Sequence, residues 1–441
     1  MTFFNTKLAK TPPMGWNSWD CFSVTVTEEE VKANADFVAK HLKQYGWEYI
    51  VVDLAWFAPG AEHDNYKNFN IPQVIDDYGR LIPDVEKFPS SAGGKGFKPL
   101  AEYVHSLGLK FGIHIMRGLP MQAAEAKTPV KGTDLTADQI SYDRERCPWY
   151  NSLLTLNFSQ PGAQEYYNSC LEMYAEWGVD YIKADDLNAW HAVDNSDGSP
   201  TGEGSPYRID DIEGLSRAIR NSGRDIVFSL SPGGPETTIV NHLRKNANLW
   251  RISADFWDEW GSLKTQMNRC ATWAPFATEG HWPDADMLPI GDLPRGESGG
   301  QNRVSNFNSE ELHTLISMWC LCRSPLMMGC NLPNTDEETI KVLSNGDVMA
   351  INQASKDNRQ IIKTDDITVW RATAQDGSAE YVGIFNISES EQSGEFDVAD
   401  LELTNAANAV ELWGRYEANT SDSKVAYSVK PHDVVLLKIE A

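Results

Sequence analysis

The chain has 441 residues, 41% of them hydrophobic and 23% charged, the make-up of a globular protein long enough for a large core and more than one domain. Its 38 basic and 63 acidic side chains leave a net charge of −25, which repels phosphate backbones and anionic bilayers and argues against nucleic acid or a membrane surface as partner. No uncharged apolar run is long enough to span a bilayer, and the opening MTFFNTKLAK lacks the apolar stretch of a secretion signal, so a cytoplasmic location is expected.

In chain order, PMGWNSWD (13–20) is the first strand-like run. Thr27 with Glu30 three residues on predicts a capping box. The helix it opens places Val31, Ala35, Val38, Leu42 and Tyr45 on one face and stops near Gly46. YIVVDLAW (49–56) follows as a strand. A helix through Leu100, Tyr103, Val104 and Leu107 closes at Gly108 and leads into KFGIHIM (110–116). A long insertion, 118–152, then precedes a helix carrying Tyr167, Leu171 and Tyr174, which ends at Gly178 before VDYIKADD (179–186). DIVFSLSPG (225–233), NLWRISADF (248–256), HWPDADMLP (281–289) and SPLMMGC (324–330) complete eight strands separated by helical patterns. Eight βα units predict a closed (β/α)8 barrel over 1–354. An open doubly wound sheet would want a G-x-G-x-x-G turn, which the sequence lacks. From 355 to 441 short strands alternate with Gly, Asp, Asn and Ser clusters, which predicts a small antiparallel β-sandwich. The seven cysteines have no paired or zinc-like spacing and read as buried thiols.

Active sites of such barrels lie at the C-terminal strand ends. Those ends carry Trp16 and Trp19, Asp53 and Trp56, His114 and Arg117, Lys183, Asp185 and Asp186, Ser229 and Ser231, Arg251 and Asp255, and Asp284 and Asp286. Carboxylates, aromatics, a lysine and an arginine on one rim fit a carbohydrate, which offers C–H faces to indole rings and hydroxyls to charged groups. Two carboxyl groups flanking a glycosidic bond suffice to cleave it. One must be ionised and the other protonated, so nearby cations favour the first role and a less charged setting the second. Lys183 lies two residues before Asp185 and so on the same side of its strand, which makes Asp185 the ionised candidate. Asp186 should point to the other face. Clustered aspartates also suit Mg²⁺ or Ca²⁺, but Lys183 and Arg251 on the same rim argue against a metal, and no cofactor is expected.

TPPMGWNSWDCF, VDYIKADD, LWRISADFWDEW, HWPDADMLPIG and SPLMMGC resemble glycoside hydrolase family 27, and the resemblance runs from near residue 10 to the end. Its members are α-galactosidases, α-N-acetylgalactosaminidases and β-L-arabinopyranosidases. The resemblance implies retaining exo-hydrolysis with Asp185 as nucleophile and Asp255 as acid/base. It implies sugar contacts from Lys183 and Arg251, a pocket wall at Trp19, and a floor at Asp286 and Met287. His114 stands where the family has a tyrosine. Ser231 occupies the position that separates galactose from N-acetylgalactosamine. Many α-galactosidases grip O4 and O6 with two consecutive aspartates; here Asp53 is kept while Leu54 and Ala55 follow it. Trp56, just past that strand, is a candidate for stacking on the sugar. A terminal α-D-galactosyl residue is the first expectation for substrate. β-L-arabinopyranose, which is galactose without its C6 arm, and N-acetylgalactosamine are the alternatives. Two rivals come from other classes. One is a sugar-binding protein on the same scaffold, motivated by the altered strand-two and strand-three motifs. The other is a phosphosugar isomerase or aldolase, which would want a phosphate cradle where PDADML is anionic. A homo-oligomer is left open.

Overall fold

Every strand expected for the barrel forms, and each is short and almost wholly buried. They are β1 (Met14–Asn17), β2 (Tyr49–Val52), β3 (Lys110–Met116), β4 (Tyr181–Asp185), β5 (Val227–Leu230), β6 (Leu249–Arg251), β7 (Trp282–Asp284) and β8 (Leu326–Met328). The structure is a computed structural model that describes residues 4–63, 65–66, 71–147, 149–150, 152–188, 206–231, 233–296 and 302–440. The strands pair in parallel in the order β7-β6-β5-β4-β3-β2-β1-β8. The two outer strands meet through a parallel bridge between Leu288, just past β7, and Met328. There Leu288 N donates to Met327 O at 2.8 Å, and Gly329 N donates to Leu288 O at 2.9 Å. The sheet is closed into a cylinder, and its strand ends therefore face one another across a common rim.

The helices begin and end where local chemistry dictates. Thr27 accepts from the Glu30 amide and the Glu30 side chain accepts from the Thr27 amide, opening Glu28–Phe37. That helix runs on through a π turn at Val38–Leu42 and stops at Gly46, whose φ of 100° only glycine adopts readily. Val31, Ala35, Val38 and Leu42 are buried, as their spacing predicts. Pro161 opens the helix Pro161–Trp177 at a position where its missing N–H costs nothing. Two stretches of the 118–152 insertion join a small sheet. Leu119–Pro120, Leu153–Leu156 and Ser141–Arg146 form a three-stranded antiparallel sheet in that spatial order, and Leu119, Tyr150 and Leu153 are buried in the main core.

The C-terminal strands are β9 (Ser355–Lys363), β10 (Ile367–Ala374), β11 (Ala379–Asn386), β12 (Gln392–Asp397), β13 (Ala409–Glu411), β14 (Lys424–Val429) and β15 (Val434–Glu440). They form a five-stranded antiparallel sheet, β9-β10-β11-β15-β13, and a β12-β14 pair. Alternate residues of the larger sheet serve two cores. Trp370, Ala372, Phe385 and Leu436 join the barrel's core, whereas Val369, Val382, Ile384 and Leu437 pack among themselves with Leu401 and Val425. All seven cysteines are free and buried. Among the described residues no helix is long and apolar enough to cross a membrane.

Candidate active site

The β3–β4 register sets His114 beside Lys183 and Met116 beside Asp185. His114 Nε2 lies 3.0 Å from Asp185 Oδ2, and the Asp186 amide donates to Asp185 Oδ1 at 2.9 Å. Both oxygens of Asp185 are thus engaged. Burial alone would raise this carboxyl, but the His114 hydrogen bond and charge, Lys183 and the Asp186 amide outweigh it and hold Asp185 below the ordinary range. His114 Nδ1 is buried and has no partner among the described residues. With a proton on Nε2 the ring donates to the Asp185 carboxylate.

Lys183 reaches across the barrel to Asp53 at the end of β2, with Nζ 3.0 Å from Oδ2. Asn17, the last residue of β1, donates to the same oxygen at 2.7 Å, and the Leu54 amide donates to Asp53 Oδ1 at 2.8 Å. Burial opposes ionisation of Asp53, yet Lys183, His114 and these amides hold it down at about 2. Lys183 in turn is held above its ordinary range by Asp53, Asp185 and Asp286 despite its burial. On the opposite arc, Arg251 ends β6 and its Nη2 lies 2.6 Å from Asp286 Oδ2 and 3.2 Å from Asp255 Oδ1. Burial raises Asp286 above the ordinary carboxylate range against the pull of Arg251, and Asp255 and Asp284 add to the rise. The setting of Asp255 departs from expectation. It is not less charged, because Arg251 bridges it to Asp286; it differs from Asp185 in exposure, its side chain being 56% accessible against 11%.

A hollow of only about 10 Å³ lies among Asn17, Lys183, Ser231, Arg251, Asp286 and Met287, and neither Asp185 nor Asp255 is in its wall. Met287 Sδ sits 3.9 Å from Lys183 Nζ. Trp19 is half-buried and meets Tyr66 edge to face at 5.8 Å. Trp56 does not fit its expected role. It is 1% exposed, packs edge to face against Phe57, Phe97 and Trp177, and donates its Nε1–H to His114 O at 2.7 Å. The chain turns inward after β2 because Ala55 takes a left-handed φ of 68°, and the ring enters the core. Trp16 is likewise fully buried, with its N–H on Cys330 O. Asp186 also turns away, at φ 59°, and pairs with Arg117 at 2.7 Å.

Sequence reasoning missed two polar residues here. Asn17 was legible as a polar side chain at the inward end of a buried strand. Asp20 was not: it lies on the short helix Trp19–Phe22, buried and raised well above the ordinary range by that burial and by Asp286. Gly329 makes room for it, since a Cβ there would stand 2.1 Å from Asp20 Oδ2. Among the described residues no trio of His, Cys, Asp or Glu is placed to hold a metal ion.

A closed parallel barrel whose C-terminal rim gathers separately held carboxylates, a lysine and an arginine has the layout of a glycoside hydrolase. The comparisons agree. The family model described as "Alpha galactosidase A" matches residues 11–141 and 150–354, and "Alpha galactosidase C-terminal beta sandwich domain" matches 364–439. An α-galactosidase of Coffea arabica is 30% identical over 97% of this chain and 93% of its own length. The crystal structure of a family 27 β-L-arabinopyranosidase from Geobacillus stearothermophilus superposes with a TM-score of 0.93 at 40% identity, covering 100% of this chain and 99% of its own. A Bacillus halodurans protein proposed to be an α-N-acetylgalactosaminidase gives 0.81 at 38% identity, with 97% of both chains covered. The chain belongs to glycoside hydrolase family 27, and it is a glycoside hydrolase.

Proposed function

We propose that the protein is a retaining exo-glycosidase that removes terminal β-L-arabinopyranosyl residues. Asp185 is the nucleophile and Asp255 the acid/base. Asp185 attacks the anomeric carbon while Asp255 gives its proton to the departing glycosidic oxygen, leaving a covalent glycosyl ester and an ionised Asp255. Asp255 then takes a proton from water, whose oxygen displaces Asp185 and releases the sugar with its configuration kept. The observation behind this assignment is the asymmetry of the two carboxyls. Asp185 is buried and held below the ordinary carboxylate range by His114 and Lys183, whereas the Asp255 side chain is open to solvent. Two carboxyls in these roles should lie about 5–5.5 Å apart.

The substrate reading rests on Leu54. A second aspartate at this place grips galactose hydroxyls in many α-galactosidases, and here a buried apolar side chain stands there. A site without the partner for a hydroxyl loses discrimination for the sugar that carries it, and arabinopyranose lacks the C6 arm. Similarity over the full chain to the Geobacillus stearothermophilus β-L-arabinopyranosidase supports the same order. Hydrolysis of α-D-galactosides, the first expectation from the sequence, stands second and is favoured by the curated α-galactosidase relatives. Nitrophenyl β-L-arabinopyranoside, α-D-galactopyranoside and α-N-acetylgalactosaminide, assayed side by side, test the ranking. The arabinopyranoside should give the highest kcat/KM, and Leu54→Asp should shift the ratio towards the galactoside. Proton NMR of the first-formed sugar should show the anomer of the substrate.

A further inference from the structure

Arg117 lies one residue beyond β3, outside the hollow, yet it grips the peptide that holds Asp185. Its main-chain N–H donates to Asp185 O at 3.2 Å. Its Nε donates to Asp186 O at 3.0 Å and to Asp186 Oδ2 at 2.7 Å. The Arg117 main chain thus holds the carbonyl of the peptide between Asp185 and Asp186, whose N–H points at Asp185 Oδ1, and the Arg117 side chain holds Asp186 through the next carbonyl and its carboxylate. Asp186 itself sits at φ 59°, a region non-glycine residues occupy only when their surroundings enforce it. Arg117 is one group that holds Asp186 there, and the pair is sealed from water, with side chains 1% and 0% exposed. A second layer backs it. Arg117 Nη1 donates to Thr155 Oγ1, on the sheet that the 118–152 insertion joins. Tyr167 Oη accepts from the neighbouring Gly118 amide at 2.9 Å and donates to Asp211.

We propose that Arg117 is a positioning residue for the Asp185 carboxylate, acting through Asp186, and that the Leu153–Leu156 strand, which pairs with the strands of the 118–152 insertion, buttresses it through Thr155. The inference rests on Asp185 being the nucleophile. Thr155 thereby helps to fix the attacking oxygen without touching substrate.

Arg117→Lys tests this directly. It keeps the buried positive charge but replaces a planar fork with a single point donor, which cannot hold the Asp186 carbonyl and carboxylate in one geometry. With the nitrophenyl glycoside that the wild type hydrolyses, kcat should fall about 10–100-fold, the scale of a slightly misplaced reacting group. The thermal midpoint should fall, because buried hydrogen bonds are lost, while affinity of the folded variant for the matching free sugar, L-arabinose or D-galactose, should stay at the wild-type value. Thr155→Val removes only the outer hydrogen bond; a smaller kcat loss in the same direction is expected, and it carries the test by itself where Arg117→Lys yields no folded protein. Wild-type kcat in the folded variants overturns the proposal. So does a kcat loss matched by an equal loss of sugar affinity, which marks general distortion of the pocket. Asp185→Ala separates the two readings. Turnover surviving in Asp185→Ala defeats the nucleophile assignment; a dead Asp185→Ala beside a fully active Arg117→Lys defeats this inference alone.

Discussion

Replacing Lys183 with methionine removes the main cation holding Asp53. In the native protein burial pushes that carboxyl up, and Lys183 is the largest of the influences that bring it instead from the ordinary 3.8 down to about 2. The displacement is worth about 2.5 kcal/mol at about 1.4 kcal/mol per pH unit. The sign follows from the direction. A depressed folded pKa gives stability that is present above the unfolded value near 3.8 and is lost as pH falls through about 2. Without Lys183, burial wins and Asp53 titrates above its unfolded value. The variant then loses the original gain and carries an uncompensated buried charge as well, a total of about 3–5 kcal/mol for one broken partner. Urea unfolding at pH 7 should show that loss, and the gap to wild type should narrow as the pH is lowered, because protonation relieves the variant and not the parent. Lys183→Met combined with Asp53→Asn should recover much of the stability. A single variant destabilised by less than about 1 kcal/mol, or by the same amount at every pH, would refute the reasoning.

Three further outcomes are expected. His114→Phe deletes the strongest influence opposing burial at Asp185, so the acid limb of the kcat/KM profile should move to higher pH; an unmoved limb would dissociate His114 from that carboxylate. Trp56→Ala should cost about 3–5 kcal/mol of stability, as a buried aromatic does, with sugar affinity of the folded fraction unchanged; weakened affinity at full stability would return the ring to the pocket. Thr27→Ala removes one half of a capping box and should cost about 1 kcal/mol in chemical denaturation, with no effect on turnover.

The strand ends were legible because alternation with period two and the βα rhythm are local properties, carried by the residues themselves. Thr27, Gly46 and Gly178 punctuate the helices where a cap or a left-handed φ is needed. Lys183 and Asp185 fall on one side of β4 for the same reason, and the rim they belong to followed once eight such units were counted. Asp186 faces away from Asp185 as its position in the strand predicts, but Trp56 shows where this reasoning stops. It sits four residues past a strand, and a positive φ at Ala55 redirects the chain. No periodicity extends through such a turn.

The amino-acid order by itself determined the eight-strand barrel, the antiparallel sheets that follow it, and the set of charged residues at the strand ends, because helix and strand periods and caps act over a few neighbours. Only the tertiary structure decided which of those charges meet. Lys183 answers Asp53 from 130 positions away, His114 answers Asp185 from 71, and Arg117 was tied to Asp186 instead of the sugar. Closing the cylinder sets these distances, and burial in a low-dielectric interior makes each charge depend on the partner that closure supplies.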